Sequence, residues 1–113
     1  MATSTIITGG NPKTRTNKAK ELASAESASF DTTIINTAEE RGIEVTKQII
    51  QKASKQPFQS KLTSIVVLEA QNFTIEAQNA LLKILEEPPE KTQLLLTAPN
   101  TDSVLSTIAS RCI

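Results

Sequence analysis

Short β-branched or apolar runs alternate along this chain with longer stretches whose apolar residues recur at helical spacing. "STIITGG", Ser4 to Gly10, is a β-branched run ending on two glycines and predicts a strand entering a tight loop. "KTRTNKAKELASAES", Lys13 to Ser27, is rich in Lys, Ala and Glu and predicts a helix. "FDTTIIN", Phe30 to Asn36, predicts a second strand. Between Ile43 and Lys55 the spacing of Ile43, Ile49, Ile50 and Ala53 predicts an amphipathic helix closed by Pro57. "LTSIVVLEA", Leu62 to Ala70, is a nearly continuous apolar run, as expected of a strand covered on both faces. Thr74 is placed to cap the next helix, with Glu76 favourable in its first turn. Ala77, Leu81, Ile84 and Leu85 form the core-facing stripe of that helix. Pro88 and Pro89 cannot continue it. "TQLLLTA" predicts a fourth strand, and "TDSVLSTIASR" a short final helix capped by Thr101 or Ser103.

Alternating strands and helices argue for parallel strands joined by right-handed helical crossovers, a small α/β sandwich. A length of 113 residues suits one core, so residues 1–113 are read as a single domain. Twelve basic and twelve acidic side chains cancel, so no global field draws the chain to nucleic acid or a membrane. With three Phe and no Trp or Tyr, little is available for stacking on single strands. The absence of His removes the commonest general base and metal ligand. One cysteine, Cys112, can form neither an internal disulfide nor a thiolate zinc cage, which suits a reducing cytoplasm. Neither a membrane span nor a signal peptide is legible. The expectation is a cytoplasmic protein without a metal site.

Ligands of open α/β sheets bind beyond the carboxyl ends of the strands, which directs attention to "GGNPKTRT", Gly9 to Thr16. A phosphate loop of the form G-x-x-x-x-G-K-[ST] wraps phosphates with backbone amides, reaches them with its Lys, and holds magnesium with its hydroxyl. Laid on Gly9, the chain offers Thr14 for the second glycine, Arg15 for the Lys and Thr16 for the hydroxyl. The Cβ of Thr14 disfavours positive φ, and Arg15 is a planar fork rather than a point charge. The plainer alternative is a glycine turn entering a helix. In "IVVLEA", Leu68 stands where an ATPase strand ends in the Asp that holds magnesium. Leucine cannot ligate a hard cation, and Glu69 alone reads most simply as a solvated carboxylate at a strand end. Two parts of one machine are thus altered. In "SRC", Arg111 reads either as a solvated surface residue or as an arginine finger, a guanidinium inserted into a neighbour's phosphate site. Cys112 reads most simply as a small buried residue.

"TIEAQNALLKILEEPPEKTQLLLTAPNTDSVLSTIASRC", Thr74 to Cys112, resembles the signature region of the bacterial clamp-loader subunits of DNA polymerase III. That family carries A-x-N-A-L-L-K-x-L-E-E-P-P, an apolar strand, and L-x-T-I-x-S-R-C. These stand here at Ala77 to Pro89, Leu94 to Thr97 and Leu105 to Cys112. More loosely, "STIITGG" resembles the family's first strand, "FDTTII" its second, and "GIEVTKQII" a helix start in which Lys47 replaces the usual Arg.

The resemblance implies an AAA+-like fold of the P-loop NTPase class, a three-layer α/β sandwich with a mainly parallel sheet. Because the family continues beyond the position of Ile113, the last core strand, the helical lid and the collar domain are expected to be missing or incomplete. Thr14, Arg15 and Leu68 place the chain with the delta-prime type, whose nucleotide motifs are often degenerate. Gly9, Arg15, Thr16 and Glu69 would then be remnants of a nucleotide site, ATP binding is not expected, and no cofactor is implied. Arg111, with Ser110 and Cys112 completing its motif, is implied to be the trans-acting finger. The implied partners are the gamma/tau and delta subunits, with the sliding clamp and primed DNA reached indirectly. Two alternatives stand beside this reading: a weak gamma/tau-like ATPase in which Arg15 substitutes for the lysine, and a degenerate fragment acting only as an interaction module.

Overall fold

The computed structural model describes residues 3–28, 31–54, 57, 60–87 and 89–112. Phe30, Lys55, Pro88 and Ile113 lie outside the described residues. Among the described residues there are four strands: β1 (Thr3–Ile7), β2 (Thr32–Asn36), β3 (Thr63–Leu68) and β4 (Thr92–Thr97). They alternate with α1 (Pro12–Glu26), α2 (Ile43–Ala53), α3 (Ile75–Glu86) and α4 (Ser106–Arg111). All pairings are parallel and the strand order is β1-β4-β3-β2. The α/β sandwich with a parallel sheet is therefore as expected, and no described helix is long and apolar enough to cross a membrane.

Strand alternation distributes the apolar residues to two layers. Ile65 and Val67 of β3 lie opposite Leu94 and Leu96 of β4, and these four join α2, α3 and α4 in the main core. Val66 and Leu95, the residues between, face the other way and pack with Ala19 and Ala23 of α1. The continuous run in β3 thus reflects burial on both faces, with Thr63 to Val67 all buried.

Local signals account for most element ends. The Asn11 side chain accepts from Thr14 N at 2.8 Å and Pro12 follows at the first helical position, a favourable start for α1. Thr74 Oγ1 accepts from Ala77 N at 3.1 Å and caps α3, and Ala77, Leu81, Ile84 and Leu85 are buried. Two expectations need correction. The buried face of α2 is Val45, Thr46, Ile49 and Ala53, whereas Ile43 and Ile50 are exposed. Thr46 turns inward because its hydroxyl finds the Ala77 carbonyl at 3.3 Å. The final segment divides into a 3-10 turn at Thr101–Ser103 and α4, so neither Thr101 nor Ser103 caps it; Leu105 does, without a side-chain bond.

Candidate functional site

Beyond the carboxyl ends of the strands, Arg15, Glu69 and Thr97 converge. Arg15 lies in the first turn of α1 and its side chain is 4% exposed. Its Nε donates to Glu69 Oε2 at 3.1 Å and its Nη2 to Oε1 at 2.5 Å, a two-pronged ion pair of the geometry a guanidinium fork favours. Nη1 donates to the carbonyls of Gly9 and Gly10 at 3.0 and 3.1 Å. All three guanidinium nitrogens are engaged within the chain.

Glu69 is held as firmly. Its backbone is left-handed, at φ 59 and ψ 62, a conformation that costs a non-glycine residue about 1 kcal/mol or more. Its N–H donates to Thr97 Oγ1 at 2.7 Å, and the same hydroxyl donates to Glu69 Oε2 at 2.8 Å. Thr37, just past β2, donates to the carbonyls of Leu68 and Glu69 at 2.7 and 3.0 Å. Asn72 in turn donates to Thr37 Oγ1 at 3.2 Å. These bonds over-determine the turn and aim the carboxylate at Arg15. The bond to Arg15 holds the Glu69 carboxyl below its usual range, against the opposing effect of burial, with Thr97 and Gln71 assisting. The same bond raises Arg15.

The reading of Glu69 as a solvated carboxylate is therefore corrected: 17% of its side chain is exposed and it is ion-paired. Thr14 also differs from its expected role. Positive φ falls on Gly9 and Gly10, while Thr14 already lies within α1 because Asn11 and Pro12 start the helix early. Two of the loop's amides are engaged within the chain: Gly9 N donates to Pro99 O and Arg15 N to Asn11 O, both at 3.1 Å. Glycine carbonyls, rather than amides, face the guanidinium. Leu68 offers no oxygen to magnesium, which leaves the hydroxyl of Thr16, half-buried on α1, without the acidic partner such a site requires.

The Ser-Arg-Cys motif lies elsewhere. Because β3 and β4 are parallel, the intervening α3 must run back along the sheet, about 18 Å for its 12 residues. Its last residue, Glu86, is thereby carried away from the strand ends that hold Glu69 and Thr97. Arg111, at the end of α4, reaches Glu86: Nη2 lies 3.4 Å from Oε1, with 43% and 51% of the two side chains exposed. Ile108 is buried, and Ala109 and Cys112 pack on the main core. Ser110 Oγ donates to Thr107 O at 3.0 Å. The backbone is thus fixed on both sides of Arg111 while the guanidinium stays at the surface. Burial pushes the Cys112 thiol up to about 11, which disfavours its thiolate form.

The structure brings Gly9, Arg15 and Glu69 together, and it separates them from Arg111. Sequence reasoning missed Thr37, Thr97 and Glu86. Each threonine stands at the carboxyl end of a strand, the one signal that marked them.

The family model described as DNA polymerase III, delta subunit, matches residues 3–113. The chain is 42% identical over 71 residues to the delta' subunit of DNA polymerase III from Yersinia pestis, covering 63% of this chain and 21% of that protein. It is 36% identical over 90 residues to the gamma/tau subunit from Mycobacterium tuberculosis H37Rv, covering 80% of this chain and 16% of the relative. The crystal structure of a gamma-subunit-related protein from Thermotoga maritima superposes with a TM-score of 0.90 at 27% identity, covering 99% of this chain and 40% of the other. The chain thus spans about a fifth of the curated relatives' length.

Proposed function

The chain belongs to the DNA polymerase III delta subunit family, and from that premise we propose that it is a delta-prime-like clamp-loader subunit that hydrolyses no ATP of its own. The observation that carries this reading is the Arg15–Glu69 pair. In a working ATPase the corresponding loop residue reaches a phosphate and the strand end holds magnesium. Here the loop residue is neutralised by the strand-end carboxylate, so the polar requirements of the site are met without nucleotide.

Arg111 then acts in trans. It lies at the opposite end of α3 from the Arg15–Glu69 pair, on a fixed backbone with its side chain exposed, so a phosphate it serves is a neighbour's. The partners are gamma/tau and delta subunits, acting on the sliding clamp and primed DNA in the cytoplasm.

Calorimetric titration of the protein with magnesium–ATP is expected to give no binding heat. In a clamp loader reconstituted with ATP-hydrolysing subunits of the same organism, Arg111→Ala is expected to lower turnover by about 10³-fold or more. An unchanged rate would remove the finger role. The 36% identity to a gamma/tau subunit over 80% of the chain favours a second reading, a weak ATPase using Arg15. Micromolar, magnesium-dependent ATP binding by the isolated protein would select it.

A further inference from the structure

Helix α3 ends on two carboxylates, Glu86 and Glu87, with Lys83 as the basic residue of its last turn. The C-terminal end of a helix carries the negative pole of its dipole, and free carbonyls there attract cations and repel carboxylates. Both glutamates are exposed, so packing does not require them. Where a local rule is broken without a packing reason, the reason is sought in function. The structure supplies one: Glu86 Oε1 faces Arg111 Nη2 at 3.4 Å, across 25 residues of sequence.

We infer that Glu86 is the positioning residue of the Arg111 guanidinium, holding it extended and correctly turned for a phosphate on the neighbouring subunit. This rests on the finger role proposed for Arg111. The contact uses one terminal nitrogen, and the guanidinium has five N–H donors in a planar fork, so an edge remains to meet phosphate oxygens. Arg111 has many rotamers on an exposed surface, and an unguided finger would reach its target in a small fraction of them. An exposed pair is weak and readily screened, which suits a guanidinium that must be handed over. A buried, fully engaged pair such as Arg15–Glu69 could not turn toward an incoming anion.

The test is a double-mutant cycle on the full-length subunit in the reconstituted clamp loader, following ATP turnover with Glu86→Ala, Arg111→Ala and the pair together. Glu86→Ala is expected to lower kcat about threefold to tenfold with KM for ATP unchanged, and to add nothing in the Arg111→Ala background. Removing a carboxylate from the helix end also leaves the melting temperature unchanged or raised, which separates positioning from a merely structural role. If Arg111→Ala lowers turnover and Glu86→Ala does not, or if the two losses multiply, the positioning role is overturned while the finger stands. An unaffected Arg111→Ala enzyme removes both.

Discussion

Two sequence changes that read as separate losses, Arg15 for lysine and Leu68 for a magnesium-binding Asp, turn out to be parts of one arrangement. With no carboxylate at position 68, Glu69 is the anion that Arg15 pairs with. Removing one partner of so enclosed a pair leaves the other charge unsatisfied, so Glu69→Ala or Arg15→Ala should each destabilise by about 3 kcal/mol. Replacing both, Arg15→Met with Glu69→Leu, should recover most of that loss. Denaturant melts of the three variants check the ordering. The pair also gives a pH signature. Because the folded-state pKa of Glu69 is depressed, its contribution is complete above the unfolded carboxylate pKa, about 4.3. It is lost as pH falls through the lower folded value. Acid titration should therefore separate wild type from the double variant below about pH 4.3 and leave them parallel above it. None of this pairing was legible from composition or spacing. Arg15 and Glu69 are 54 residues apart, and the left-handed turn that aims Glu69 depends on Thr37 and Thr97, which carry no motif of their own.

The helices show why some elements were legible and others only partly so. α3 carries its signals locally: a Thr74 cap, a regular apolar stripe and a proline stop. Thr74→Ala should cost about 1 kcal/mol in a thermal or urea melt. On α2 the long isoleucines suggested one face, yet its buried side includes Thr46 and leaves Ile43 and Ile50 exposed. Hydrophobicity ranked the residues there, but the carbonyl of Ala77 decided which of them turned inward. α1 is the least hydrophobic in its contact, burying only Arg15, Ala19 and Ala23. Small residues let it approach the sheet closely but remove little apolar area from water. Polar contacts hold its two ends instead, Arg15 on Glu69 at the start and Ser27 on the Leu62 carbonyl and Ser64 at the finish. In hydrogen exchange, Glu69→Ala should raise the rates of the first turns of α1 while those of α3 remain protected. Uniform loss of protection would show that α1 does not open as a unit of its own.

For the molecule as a whole, the strand–helix alternation and the doubly buried β3 made the parallel three-layer arrangement legible, because each strand's side chains can only serve two layers. The order β1-β4-β3-β2 follows from no local feature; it places β4, with Thr97 at its end, between the β1 loop and Glu69. That neighbourhood determines what the site can become. From sequence, Thr14→Gly, Arg15→Lys and Leu68→Asp look like a repair of a phosphate loop. In the folded molecule the same three changes withdraw the guanidinium from Glu69, from both glycine carbonyls and from the first turn of α1. They leave Asn11 and Pro12 starting the helix where loop amides would be needed. They also put a second carboxylate beside Glu69, and like charges at close range resist joint ionisation. The triple variant should unfold at lower denaturant than wild type and still give no binding heat with magnesium–ATP. Tight binding by that variant would mean that the loop remains able to open, and that only the Arg15–Glu69 pair keeps nucleotide out.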